Sequence, residues 1–219
     1  MAERRHLLDI DGLSREDIGE ILDTARSFSE VLRRPIKKVP ALRGKTVVNL
    51  FFEPSTRTRM SFELAAKRLS ADVLNFTASS SSLSKGESFK DTALTLEAMG
   101  ADAVVVRHPA AGAPWLLKKW LKASILNAGD GMHAHPTQAM LDLFALRERI
   151  GELQGKRIAF VGDILHSRVA RSGIKACMTM GMEVLIVAPP TLLPPISQQA
   201  VEISSDFDEV IPGCDILYM

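Results

Sequence analysis

Apolar positions recur along the chain in two rhythms, one helical and one strand-like, and the rhythms alternate. In "DGLSREDIGEILDTARSFSEVL" the residues Ile18, Ile21, Leu22, Ala25 and Phe28 fall at helical spacing. Ser14 stands before them as a natural N-cap, with Asp17 three residues on in a variant of the capping box. "KTVVNLFF" then reads as a buried strand from its β-branched and aromatic content, and a helix begins near Ser55 and runs through "SFELAAKRLSA". "DVLNFT" is a second strand, "SSSSLSKGES" a polar loop, and Asp91 to Met99 a helix. "ADAVVVRH" predicts a third strand, Trp115 to Lys122 a helix, "ASILNAGDG" a strand and turn, and "HPTQAMLDLFALRERIG" a long helix entered at its proline.

The pattern then restarts. "GKRIAFVGD" is a strand, "SRVARSGIKACMTMG" a helix and "MEVLIVAPP" a strand. "TLLPPISQQAVEIS" reads as a loop and helix, and "CDILYM" as a closing strand. Strands alternating with helices predict an α/β protein with parallel, doubly wound sheets. A weak internal echo supports two such units: Gly44-Lys45 and Gly155-Lys156 precede Arg57 and Arg168 at the same spacing, with Thr56 matching Ser167 and Ser61 matching Ser172. The expected division is residues 1–150, including a linking helix over 135–150, and residues 151–219. A ligand is expected in the cleft between them, off the carboxyl ends of the strands.

Composition narrows the function classes. The net charge is +1, so the chain as a whole makes no electrostatic case for nucleic acid or a membrane surface. No apolar run approaches the roughly 20 residues of a membrane span, and "MAERRHLLDIDGL" is too short an apolar run for a signal peptide. Cys177 and Cys214 lack metal-ligand spacing, so two reduced thiols and a cytoplasmic protein are expected.

The candidate chemistry is concentrated in "FFEPSTRTRMSFE". A helix N-terminus has unpaired N–H groups and a partial positive charge, which together attract an anion. Ser55, Thr56 and Thr58 add uncharged donors there, and Arg57 adds a planar fork matched to two phosphate oxygens. Arg57 and Arg59 are two apart on a helix and cannot face the same way. Arg57 is therefore expected at the ligand and Arg59 in an ion pair with Glu53 or Glu63. The same residues also fit a well-capped helix with two surface arginines. The donor density, without a nucleotide-type glycine-rich loop, favours a small compact phosphate.

At these residues the chain resembles the aspartate and ornithine carbamoyltransferases, whose carbamoyl-phosphate motif "FFEPSTRTR" matches. "SSSLSKGESFKDT", "VVVRHPAAGA", "LNAGDGMHAHPTQAMLDL" and "GKRIAFVGDILHSRVARS" agree in order, over essentially the whole chain. "HPTQ", the serine-rich loop and "RHPAAGA" resemble the aspartate branch; the ornithine branch usually has cysteine in place of Thr137.

The resemblance implies attack of the L-aspartate amine on carbamoyl phosphate, with no metal, cofactor or covalent enzyme intermediate. It implies that Ser55, Thr56, Arg57 and Thr58 cradle the phosphate and that Arg107 adds a second guanidinium. His135 would donate to the carbonyl oxygen and Gln138 would bond the carbamoyl NH2. Lys85 and Ser82 would reach a neighbouring subunit's site, implying a homotrimer. Lys85 and Arg168 would bind aspartate carboxylates. Without the resemblance, each reads more plainly: Arg107 as a strand-end arginine, His135 as a cap, Gln138 as surface polarity, Lys85 as a solvated loop lysine and Arg168 as a structural arginine. A regulatory chain or a dihydroorotase is a possible further partner.

The chain closes at "CDILYM", where the family pattern would continue, so the second domain is expected to be incomplete. Two alternatives stay open beside the enzyme: a chain that binds carbamoyl phosphate without turnover, and an ornithine carbamoyltransferase.

Overall fold

The computed structural model describes residues 6–77, 88–193 and 201–219. In chain order the elements are α1 (Arg15–Val31), β1 (Thr46–Phe51), α2 (Thr56–Arg68), β2 (Asp72–Thr77), α3 (Phe89–Ala98), β3 (Ala103–His108), α4 (Ala113–Trp120) and β4 (Ser124–Asp130). They continue with α5 (Pro136–Ile150), β5 (Arg157–Val161), α6 (Arg168–Thr179), β6 (Glu183–Val187), β7 (Glu202–Ser204), α7 (Phe207–Val210) and β8 (Ile216–Tyr218). The strands form two parallel four-stranded sheets, ordered β2-β1-β3-β4 and β7-β6-β5-β8.

β1 and β3 are central strands, and their side chains alternate between two apolar layers. Val48, Leu50, Val104 and Val106 pack with Leu96, Leu117 and Ile125 on one face. Val47, Phe51 and Val105 pack with Ala66 and Ala128 on the other. Burial on both faces explains why these strands read as continuous apolar runs rather than alternating ones. In the second sheet Ala159, Leu185 and Val187 gather with Val210.

Helix starts follow local chemistry. Ser14 and Asp17 exchange backbone and side-chain bonds at 2.8 and 3.1 Å, the reciprocal cap expected from the sequence. Ser88 and Asp91 repeat it at α3, which therefore begins earlier than Asp91. The apolar stripe of α1 stops short: Ile18 and Leu22 are buried, whereas Phe28 is exposed.

Two compact units emerge, and they divide the chain differently from a cut at 150/151. One joins the stretch ending at Leu8 with Arg26–Thr137; the other joins Asp9–Ala25 with Gln138–Met219. Side-chain pairs join the two segments of the second unit: Arg15 with Glu152, Arg147 with Asp23 and Lys175 with Asp11, at 3.1, 2.8 and 2.6 Å. The N-terminal stretch belongs to the first sheet, where Leu7 bonds Ile125 and Asn127.

The repeated Gly-Lys has a shared structural use. Lys45 Nζ meets Asp102 at 2.8 Å while the N–H of Thr46 donates to the same carboxylate at 2.9 Å. Lys156 Nζ meets Asp215 at 3.3 Å while the N–H of Arg157 donates at 2.9 Å. In each unit the lysine thus clamps the entry of β1 or β5 to that of its neighbour β3 or β8. Each pair depresses its aspartate pKa, mainly through the Lys45 side chain for Asp102 and the Arg157 N–H for Asp215.

The expected helix in "TLLPPISQQAVEIS" is not observed among the described residues. Glu202–Ser204 is a short strand, β7, paired to β6, and α7 follows it. Residues 194–200 of that stretch lie outside the described residues.

Both cysteines are free thiols. Burial pushes the Cys177 thiol up to about 12, so its reactive thiolate is scarce. Iodoacetamide near pH 8 is expected to spare Cys177 in the native protein and modify it only on unfolding. Mass-mapped labelling would check this, and rapid native modification of Cys177 would refute it.

Candidate functional site

Strand order reverses between β1 and β3, and in such sheets ligands sit off the carboxyl ends at the reversal. The chain leaving β1 reaches Ser55, the N-cap of α2, in extended conformation with φ −159°. Its hydroxyl donates to Thr58 Oγ1 at 2.8 Å, and its oxygen accepts from no helix N–H. The first-turn N–H groups of α2 thus have no hydroxyl cap from Ser55. Thr56 and Arg57 are exposed, and Ser55 and Thr58 are half-buried. This is the arrangement an incoming anion needs: donors in place, without a side chain already satisfying them.

Arg107 closes β3 beside this turn. The N–H of Phe52 donates to the carbonyl of Arg107 at 2.8 Å, which joins the two strand ends. The guanidinium of Arg107 pairs with Glu53 at 3.0 Å and donates to the Ala128 carbonyl at 3.3 Å. Arg107 is therefore held in place before any ligand arrives.

Arg59 is not in the expected ion pair. Glu53 is taken by Arg107, and Glu63 by Lys67 at 2.6 Å and Asn75 at 2.9 Å. Glu63 is one turn from both Arg59 and Lys67, and the short Lys67 contact wins. Arg59 contributes only a small part of the depression of the Glu63 pKa, which the Lys67 and Asn75 bonds dominate.

A buried carboxylate organises the loops beyond β3 and β4. Asp130 is fully buried. It accepts from Asn127 Nδ2 at 2.8 Å, the Ala134 N–H at 3.2 Å and the Gly112 N–H at 2.7 Å. His133 Nδ1 lies 3.1 Å from it. Asn127 is itself buried and bonds the carbonyl of Leu8 at 2.9 Å. The loops after β3 and β4 touch at Gly131. A Cβ there would lie 2.9 Å from Ala111 N and 3.0 Å from Pro109 O, at φ +50°. Glycine is the residue that permits this approach.

His135 follows this turn and is 6% exposed. Its Nδ1 is 3.3 Å from the Thr137 hydroxyl, which also lies 3.3 Å from the Asn127 carbonyl. The hydroxyl proton goes either to the carbonyl, with Nδ1–H then donating to the hydroxyl oxygen, or to Nδ1. When it goes to Nδ1, the ring proton is on Nε2, the tautomer that can donate to a ligand oxygen. His108 is different: it packs against Phe52 and Phe89, which also touch each other, and burial lowers its pKa. Its Nδ1 accepts from the Ala110 N–H at 2.9 Å, so it shapes the loop as a neutral ring.

Ser55, Thr56, Arg57, Thr58, Arg107 and His135 thus lie in the first unit. Gln138 and Arg168 lie in the second. Gln138, in the first turn of α5, donates through Nε2 to Asp142 at 2.9 Å. Arg168 is the first residue of α6, whose cap Ser167 accepts from the Ala170 N–H. Ser82 and Lys85 lie outside the described residues. Asp130, Asn127, His108 and Asp142 escaped the sequence reading. Asp130 lies in "GDG", which reads as a turn, and its partners come from other segments.

Comparison with known proteins identifies the family. Residues 5–148 match the family profile described as aspartate/ornithine carbamoyltransferase, carbamoyl-P binding domain. The chain is 58% identical over 216 residues to the aspartate carbamoyltransferase catalytic subunit of Acidothermus cellulolyticus, covering 98% of this chain and 67% of that protein. For the Nocardioides sp. protein of the same name the identity is 61% over 224 residues, covering 99% and 69%. The fold is similar to aspartate transcarbamoylase from Trypanosoma cruzi in complex with carbamoyl aspartate and phosphate. The TM-score is 0.89 at 32% identity, over 98% of this chain and 74% of that one. The catalytic subunit of the M. jannaschii enzyme gives 0.86 at 38%, over 98% and 72%. The chain therefore belongs to the aspartate/ornithine carbamoyltransferase family, among relatives that are aspartate carbamoyltransferase catalytic subunits.

Proposed function

We propose that the protein transfers the carbamoyl group of carbamoyl phosphate to the amine of L-aspartate, giving N-carbamoyl-L-aspartate and phosphate, in de novo pyrimidine biosynthesis. The observation that carries this reading is the uncapped, hydroxyl-lined start of α2 beside a pre-positioned Arg107 at the reversal of strand order. The 58–61% identity to aspartate carbamoyltransferase catalytic subunits supports the choice of amine.

The chemistry needs no bond between enzyme and substrate. The aspartate nitrogen attacks the carbonyl carbon, the C–O bond to phosphate breaks, and the amine proton leaves. Ser55, Thr56, Arg57 and Thr58 hold the phosphate with Arg107, and their positive potential stabilises the charge it gains on leaving. His135 donates to the carbonyl oxygen as it becomes negative, and Gln138 bonds the carbamoyl NH2. Arg168 and Lys85 take aspartate carboxylates. Fixing both reactants in line supplies much of the remaining rate. In this reading the protein acts in the cytoplasm as a homotrimer, Lys85 and Ser82 being lent to a neighbouring site. A regulatory chain or a dihydroorotase would be a further partner.

Phosphate release from carbamoyl phosphate, offered L-aspartate or L-ornithine, tests the reading. Release with aspartate alone is the expected result. Release with ornithine alone would transfer the protein to the other branch. Carbamoyl-phosphate binding without turnover of either amine would make it a binding chain.

A further inference from the structure

Asp142 stands one turn beyond Gln138 on α5, and its carboxylate is partly buried. It accepts from Gln138 Nε2 at 2.9 Å through one oxygen and from the Tyr218 hydroxyl at 2.8 Å through the other. Tyr218 is on β8, 76 positions away in sequence, so this link is made by the fold. All three residues lie within the second unit.

The chemistry of this triad is directional. An ionised carboxylate only accepts hydrogen bonds. A glutamine amide beside it must present its NH2 to that carboxylate, which turns its carbonyl oxygen the other way. That oxygen can only accept. It suits a ligand with an N–H at this point and offers nothing to a methyl group. Burial raises the Asp142 pKa, and the bonds from Tyr218 and Gln138 offset only part of that rise.

We infer that Asp142, anchored by Tyr218, is a positioning residue that fixes the amide of Gln138 so that the site selects a carbamoyl over an acetyl group. The inference rests on the functional reading above, in which Gln138 meets the carbamoyl NH2. Carbamoyl phosphate and acetyl phosphate share the phosphate and the carbonyl and differ there by NH2 against CH3. The pair therefore isolates the contribution of the oriented amide.

Calorimetric titration of the protein with carbamoyl phosphate, acetyl phosphate and inorganic phosphate provides the test. The wild type is expected to bind carbamoyl phosphate about tenfold more tightly than acetyl phosphate, the effect of one well-placed hydrogen bond with no buried partner left over. Asp142→Leu, which removes the acceptor, is expected to bring that ratio to within about threefold by weakening carbamoyl phosphate alone. Asp142→Asn is expected to restore most of the preference, because its oxygen can still accept from Gln138 while its N–H meets the Tyr218 oxygen. Should Asp142→Leu strand the Tyr218 hydroxyl and fail to fold, Asp142→Leu with Tyr218→Phe replaces the pair by apolar groups of similar size. Equal weakening of all three ligands, or an unchanged ratio in the leucine variants, would overturn the inference and leave the functional reading intact. A wild type that binds phosphate but not carbamoyl phosphate would remove both.

Discussion

Arg57→Ala is expected to reduce turnover of carbamoyl phosphate with aspartate by about 30- to 5,000-fold at nearly unchanged stability. Arg57 is exposed in the unliganded protein and sits in the first turn of α2. Among the described residues its guanidinium makes no ion pair or hydrogen bond, so its removal is expected to leave the fold alone. Once a phosphate is bound, the same group becomes a paired and desolvated charge. Truncating such a group typically costs about 2–5 kcal/mol, which is the rate factor just given at 1.36 kcal/mol for each tenfold. Arg59→Ala is the control. It points to another side of the helix, and its carboxylate neighbours are already taken by Arg107 and Lys67. Its effect on turnover is expected to be small. Steady-state kinetics with a melting curve for each variant decides the matter. Matching losses of turnover in two equally stable variants would sink the assignment of Arg57 to the phosphate.

Asp130→Ala is expected to lower the unfolding free energy by about 3–5 kcal/mol, a loss of roughly 10 °C in melting temperature for a chain of this size. The substitution strands one N–H of Asn127 Nδ2, whose other still meets the Leu8 carbonyl, and the N–H groups of Gly112 and Ala134. Each buried donor left unpaired costs about 1–3 kcal/mol, and the total falls below the sum where water can enter. Asp130→Asn is expected to recover only part of this. One oxygen becomes an NH2 that faces a donor, either the Gly112 N–H or the Asn127 amide. Urea unfolding of both variants gives the comparison. A loss below about 1 kcal/mol for the alanine variant would mean that the loops at 112 and 134 do not depend on the carboxylate. The same variant is expected to lose activity, because the loop it holds leads directly into His135.

The candidate site was legible where its information is local. Ser55, Thr56, Arg57 and Thr58 occupy consecutive positions at one helix start, so helix physics marks them as anion-contact candidates. The cap at Ser14 is set by a partner three residues away. Where partners are distant, the sequence was mute. Glu53 was offered to Arg59, its near neighbour, yet the fold gives it to Arg107, because β1 and β3 run side by side and bring both to the same edge. Asp130 looked like a turn residue, because its turn context is local and its Gly112 partner is not. The strand β7 was not foreseen, because three residues carry too little periodicity to announce a strand.

The sequence by itself determined the alternation of strands and helices, the parallel α/β class, the anion-ready start of α2 and the family. Each depends on spacing within a single element or on a contiguous motif. Tertiary structure alone decided the order of strands in each sheet, and with it the reversal between β1 and β3 that places Arg107 beside Ser55. It also decided that Asp9–Ala25 packs with the second unit, that a buried carboxylate holds the loop before His135, and that Tyr218 reaches Asp142. The physical reason is common to all of these. A hydrogen bond or ion pair is chosen among competitors by distance in space, and the chain reveals only distance in sequence until the sheets have formed.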